Sequence, residues 1–208
     1  GPEVHRVCSS VYTVVLTEKW KEILSPWLGD SNVIPNPVPD VPVSSERERK
    51  SFLLMGRSSP MKGQDIAIEA IRILRAQGVE VTLHLAGFEH SEPGIIGHGW
   101  VGGETKERLM SSCGTLLSPS KWEGLSMSVI EAMARGMPVL SSSASQDAFE
   151  KSGRVVELNA RAFSEAMLEM MSGASWQNMA DAGPGEAEQY RLANVTPQWG
   201  LVYDEVIV

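Results

Sequence analysis

Residues Leu117–Ser142 read LSPSKWEGLSMSVIEAMARGMPVLSS. Thr115–Ser118 fits a strand and Met127–Arg135 a helix. Gly136 and Pro138 are stop signals for that helix, and Val139–Ser141 fits a second short strand. A strand, a helix and a strand in this order make a βαβ unit and therefore a parallel pair. Between the first strand and the helix lies Glu123–Glu131, EGLSMSVIE, in which two carboxylates flank a Gly-Leu-Ser turn. A helix that starts at such a turn has unpaired N–H groups and the positive end of its dipole, which suits a phosphate. Carboxylates accept hydrogen bonds from hydroxyls, and a phosphate with hydroxyls on both sides describes a nucleotide-sugar. The same residues also fit a plain helix cap, because Ser128 and Glu131 have the S-x-x-E spacing of a capping box. Spacing alone does not choose between the two readings. The E-x7-E interval recurs at Glu157 and Glu165, without a glycine turn, and no function is assigned there.

Outward from this unit, strands and helices alternate from Ser51 onward. Phe52–Met55 is a strand. Gly63–Ala76 is an amphipathic helix with Ala67, Ala70, Ile71 and Leu74 on one face, stopped by Gly78. Val81–Ala86 is a strand, Ile95–Val101 holds another, and Glu104–Ser112 is a helix. Val155–Glu157 is a short strand, followed by helices over Ala160–Met171 and Trp176–Tyr190. The pattern predicts an α/β, Rossmann-like parallel sheet with helices on both faces, binding its ligand beyond the carboxyl ends of the strands. Upstream, Val11–Leu16 reads as a strand and Glu18–Leu24 as a helix stopped near Pro26. Pro35, Pro37, Pro39 and Pro42, with charged Glu46–Lys50 after them, make residues 35–50 a connector. Residues 51–208 are then the main domain, and residues 1–34 the tail end or remnant of a preceding one with its linker. Gly1-Pro2 in place of a starting Met reads as a protease scar.

The 208 residues carry a net charge of −8, with 42% hydrophobic and 21% charged residues. That is the composition of a globular domain, and it lacks the basic footprint of a nucleic-acid binder. A phosphorylated small molecule needs only a few local cations. Cys8 and Cys113 are the two cysteines. They form neither a disulfide framework nor a zinc motif, so a reducing, cytoplasmic setting is expected. No apolar run approaches the roughly 18 residues of a membrane span. Nothing in the sequence supports peripheral membrane contact.

A second constellation is Gly56–Gly63, GRSSPMKG, between the first strand of the main domain and its amphipathic helix. In a parallel sheet Arg57 and Lys62 share a rim with Gly124. Arg grips phosphate bidentately, and Lys binds it as a point charge. Two solvated cations in a loop would look the same in sequence. A third constellation is Gly87 with the loop His90–Val101, placed to meet a base or a sugar. His84, His90 and His98 match no zinc spacing. His84 reads as a structural histidine of its strand, and no role is assigned to the other two. Trp100 and Trp122 have rings suited to stacking on a ligand, but each reads first as a packing residue. No Gly-x-Gly-x-x-Gly follows a strand, and neither a P-loop nor a Gly-x-Ser-x-Gly elbow is present.

Together these segments resemble the C-terminal domain of GT-B glycosyltransferases, specifically retaining family 4 (glycosyl transferases group 1). VIPNPV at Val33–Val38 is similar to the entry into that domain, and LLMGRSSPMKG at Leu53–Gly63 to its phosphate-binding segment. LHLAG at Leu83–Gly87 and HGWV at His98–Val101 resemble its second and third strand ends. Leu117–Ser142 resembles its E-x7-E signature, and Trp199–Ile207 its closing helix. The resemblance implies that Arg57 and Lys62, with the backbone of Gly124, Leu125 and Ser126, hold the donor diphosphate. It implies that Glu123 is the catalytic carboxylate at the donor sugar and that Glu131 binds the ribose hydroxyls. Gly99, Trp100 and Val101 would line the base. It implies a nucleotide-sugar donor as substrate, no metal and no cofactor, and an acceptor bound through an N-terminal domain outside these residues. The isolated piece would then bind donor without turnover. One departure is the short Gly87–Ile95 segment, where family members carry a helix. It motivates the alternative of a non-catalytic GT-B-like regulatory or interaction module.

Overall fold

The computed structural model describes residues 12–207. Gly1-Pro2, Cys8 and the first residue of the Val11–Leu16 strand lie outside that range. In chain order the elements are β1 (Val14–Val15), α1 (Glu18–Leu28), β2 (Asn32–Val33), β3 (Glu48–Met55), α2 (Gln64–Ala76) and β4 (Thr82–Ala86). There follow β5 (Ser91–Glu92), β6 (Ile95–Gly97), α3 (Gly103–Ser112), β7 (Cys113–Ser118), α4 (Met127–Ala134) and β8 (Val139–Ser141). The chain ends with β9 (Gly153–Val155), α5 (Ala160–Ser172), α6 (Ala174–Ala187) and α7 (Leu192–Ile207). Among the described residues no helix is long and apolar enough to cross a membrane.

Two compact units result. The smaller combines the residues up to Asp40 with those from Glu188 onward. In it β1 and β2 pair in parallel around α1, and Ile34, Val195 and Val202 form a small core with Val14 and Trp199. The proline-rich stretch is tied down here: Val38 N–H donates to the Tyr190 carbonyl at 2.7 Å, and Arg191 donates to the Pro39 carbonyl. Helix α1 does not stop before Pro26 but runs through it to Leu28. Pro26 has no N–H for the Glu22 carbonyl, and the Ser25 hydroxyl donates to that carbonyl instead, at 2.9 Å.

The larger unit, Val41–Ala187, holds a seven-stranded sheet in the order β5-β6-β4-β3-β7-β8-β9. Every pair is parallel except the β5–β6 hairpin at one edge. Strand burial explains the architecture. Phe52–Leu54 and all of Cys113–Ser118 are buried, as expected where both faces of a parallel sheet are covered. On one face Phe52, Leu54, Leu83 and Leu85 pack against Ile71 and Leu74 of α2 and Phe163 and Met167 of α5. Helix α4 packs on β7, β8 and α6. This is the expected α/β sheet with helices on both faces.

Strand β3 starts at Glu48, inside the stretch that reads as a connector. Glu48 and Lys50 are exposed, while Arg49 is half-buried with its guanidinium 4.5 Å from the centre of the Trp176 ring, a cation–π contact. Strand β9 ends at Val155, two residues short of the strand expected at Val155–Glu157. Arg47 ties two helix ends together. It donates to the carbonyls of Met110 and Cys113, at the end of α3, and of Arg135, at the end of α4. A cation there complements both dipoles. Burial lowers its pKa to about 10, so it remains charged at neutral pH. Cys113 is buried, and burial raises its thiol pKa.

Two features of this unit carry direct tests. Gly63 caps α2 at φ 66°, and a Cβ there would lie 2.0 Å from the Pro119 carbonyl oxygen. Left-handed backbone and contact both demand glycine. Gly63→Ala is therefore expected to cost at least about 2 kcal/mol in urea denaturation; an unchanged midpoint would refute the contact. Glu186 on α6 accepts the N–H groups of Glu150, Lys151 and Ser152 and the Ser152 hydroxyl. Burial alone raises its pKa, but these hydrogen bonds outweigh it and the group sits below its ordinary range. A depressed carboxyl contributes stability above its unfolded-state pKa that is lost as pH falls through the folded-state one. Glu186→Gln should thus melt lower at pH 7 and lose less between about pH 5 and pH 3 than the parent does.

Candidate functional site

The strand order reverses between β3 and β7: β4 and β6 extend the sheet one way from β3, and β7, β8 and β9 the other. Loops leaving the carboxyl ends of two such strands diverge and open a crevice. Here the loops are Gly56–Gly63 and Pro119–Ser126, and they are stitched together. Gly63 abuts Pro119, and Lys121 N–H donates to the Met61 carbonyl at 2.8 Å. Lys62 Nζ meets Glu123 Oε1 at 2.7 Å. From the first residue of α2, Gln64 Nε2 donates to the Arg57 carbonyl of the first loop at 2.8 Å.

The crevice is a cleft of about 530 Å³. Arg57, Lys62, Glu123, Leu125, Ser126 and Glu131 all line it, as do Trp100 and Val101. Gly99 and Gly124 do not. Gly99 is held in an antiparallel bridge, its N–H donating to the Phe88 carbonyl and its carbonyl accepting from Gly87 N–H. Trp100 and Trp122 are 87% and 56% exposed, so neither is the packing residue expected from sequence. The short Gly87–Ile95 segment forms the β5–β6 hairpin, whose Glu92 takes a two-pronged hydrogen bond from Arg72 of α2. Two residues before Trp100, His98 places its Nε2 2.9 Å from His84 Nδ1. Burial, with the Arg108 cation nearby, lowers the pKa of both imidazoles, and His98 lowers that of His84 further.

The capping-box reading fails. Ser126 is the N-cap of α4, no side chain caps that helix, and Ser128 lies within its first turn. The Glu131 carboxylate turns to Lys106 of α3 instead, with Nζ 2.8 Å from Oε1. Both cleft carboxylates are thus largely buried and paired, Glu123 at 11% and Glu131 at 13% side-chain exposure. Glu123 Oε1 also accepts from Ser120 Oγ at 2.6 Å, and the Ser120 carbonyl in turn accepts from the Ser142 hydroxyl. Among the described residues Arg57 is exposed and has no carboxylate partner. The cleft wall therefore carries three cations, Arg57, Lys62 and Lys106, against two carboxylates, with the uncapped start of α4 between them. Such a wall attracts a polyanion and offers acceptors to hydroxyls. Ser120 and Lys106 escaped sequence reasoning. Ser120 stands three residues before Glu123, a local signal. Lys106 is one charge among several on α3 and gave none.

A profile of the family described as Glycosyl transferases group 1 matches residues 49–173, more than half of the chain. The O-antigen chain mannosyltransferase B of Escherichia coli is 31% identical over 104 residues, 48% of this chain and 27% of the relative. The chain's matches span about a quarter of the length of the curated relatives concerned. Among solved structures, a point mutant of S. aureus TarM in complex with Fondaparinux, alpha-GlcNAc-glycerol and UDP superposes with a TM-score of 0.82 at 20% identity. That likeness covers 95% of this chain and 45% of TarM. Anabaena Alr3699/HepE, in complex with UDP and glucose, gives 0.80 at 16% identity, covering 97% of this chain and 66% of that one. These likenesses show the fold, an α/β sheet matching the Rossmann-like part of GT-B structures. With the family profile spanning the sheet and both loops of the cleft, the chain belongs to the glycosyl transferases group 1 family.

Proposed function

We propose that this chain binds the nucleotide-sugar donor of a retaining, family 4 hexosyltransferase. The observation that carries the reading is the shared cleft: Arg57, Lys62, Glu123, Glu131 and the start of α4 meet at one switch point. Arg57 and Lys62, with the backbone of Gly124, Leu125 and Ser126, take the diphosphate. Glu123 addresses the transferred sugar as the catalytic carboxylate. Glu131 accepts from the ribose, and the Gly99–Val101 segment covers the base. Two relatives by fold were crystallised with UDP, which is in keeping with such a donor.

The chemistry asked of this half is electrostatic. As the sugar leaves, negative charge grows on the diphosphate, and fixed cations with the α4 N–H groups stabilise it without a metal ion. Lys62 already touches Glu123, so donor phosphate arrives at a cation that also orients the carboxylate beside the sugar. In this reading the acceptor binds a domain outside these residues, the isolated chain binds donor without turnover, and the protein works in the cytoplasm.

Calorimetric titration with UDP-, GDP- and ADP-sugars tests the proposal directly. One of them is expected to bind this chain, and absence of heat with all three at millimolar ligand would count decisively against it. Arg57→Ala and Lys62→Ala are each expected to weaken the donor that binds by about 10- to 100-fold, the worth of one charged hydrogen bond. Equal affinity in both variants would remove these residues from the diphosphate site.

A further inference from the structure

We infer that Lys106 is a positioning residue that sets the Glu131 carboxylate to receive a vicinal diol, making the cleft select ribonucleotides over their 2′-deoxy counterparts. The inference rests on the donor-binding reading above. Lys106 and Glu131 come from different helices, α3 and α4, and both line the cleft. A carboxylate as buried as Glu131 requires a partner. Lys106 Nζ is on Oε1 at 2.8 Å, while among the described residues Oε2 accepts no hydrogen bond. A carboxylate has about four acceptor sites, so one fixed lysine orients the group and leaves room for two hydroxyls. Lysine only donates. Its influence on a diol therefore passes through Glu131.

The neighbouring pair shows that Lys106 is held in place. Glu107, the next residue of α3, takes Arg135 Nη2 with both oxygens at 2.8 Å. Arg135 is only 4% exposed and follows Glu131 by one turn, donating Nη1 to the Glu131 carbonyl at 3.1 Å. The two pairs have opposite polarity. A slip of α3 by one residue would oppose Glu107 to Glu131 and leave two carboxylates facing each other. The register is thereby specified, and the Glu107–Arg135 pair tethers the helices by itself. That frees Lys106 from a tethering duty and leaves the orientation of Glu131 as its distinctive effect. A 2′-deoxyribose offers such a carboxylate one hydroxyl where two are accommodated, and an oriented polar site rejects a ligand that lacks a hydroxyl.

The test is calorimetry with UDP, GDP and ADP and with dUDP, dGDP and dADP, on the parent chain and on Lys106→Met, Lys106→Gln and Lys106→Arg. For the base that binds best, the parent should prefer the ribonucleotide by at least about 10-fold, as expected for one hydrogen bond to a charged group. The preference should shrink to within about threefold in Lys106→Met and Lys106→Gln and persist in Lys106→Arg. Lys106→Gln serves as the reading should Lys106→Met not fold. A loss of tethering alone would lower affinity for both sugar forms together and leave their ratio unchanged. An unchanged ratio in the Met and Gln variants, or a parent that binds both forms equally, overturns the inference and leaves donor binding standing. Binding of none of the six nucleotides overturns both.

Discussion

The parallel pairing of β3 with β7 is the constraint from which the rest of the larger unit follows. Phe52 pairs with Thr115 and Leu53 with Leu116, joining strands that are distant in the chain. Parallel strands need crossover connections. The chain lays β4 and β6 on one side of β3 before returning to put β7 on the other. The two loops at that seam have no neighbour strand between them. They touch backbone to backbone, Gly63 against Pro119, and the contact leaves no room for a side chain. Cations from one loop and carboxylates from the other then share a wall because the strands beneath them are neighbours.

Charge is organised locally against the overall trend. The chain carries −8, yet its cleft presents more cations than carboxylates. Partly buried ion pairs contribute little to folding once desolvation is counted. The Lys62–Glu123 and Lys106–Glu131 pairs are better understood through geometry. Each fixes one oxygen of a carboxylate that would otherwise rotate, and each does so at the lining of the cleft. The Ser142–Ser120–Glu123 relay extends the same principle to the residue just after β8, so the loop after β7 is also held by the end of the neighbouring strand.

Much of this was legible in sequence where one physical cause dominates. Strands covered on both faces must be apolar throughout, so Phe52–Leu54 and Thr115–Leu117 announce themselves. The helix stops at Gly78 and Gly136 are legible because both glycines take positive φ. Illegible features are those set by distant partners. Glu48–Lys50 look like linker because the cation–π contact of Arg49 depends on Trp176. Pro26 looks like a helix stop because its rescue depends on the Ser25 rotamer. Ser128 and Glu131 look like a cap because nothing local reveals Lys106, 25 residues away. Trp100 and Trp122 look like core residues because aromatic size says nothing about whether a loop carries the ring to the surface.

The β5–β6 hairpin has a consequence for how this sheet ends. A parallel sheet finishing in a long apolar strand would present a row of open N–H and C=O groups to any passing chain. Here the last strand is two residues long, runs antiparallel and is followed at once by Pro93. Its outer residue, Glu92, is clamped by Arg72, which places a closed ion pair at the border. Such an edge has too few ladder positions to template a further strand, and whatever would pair with it must first displace a charge. The segment that shortens the fold at this border thereby also guards the chain against edge-to-edge aggregation.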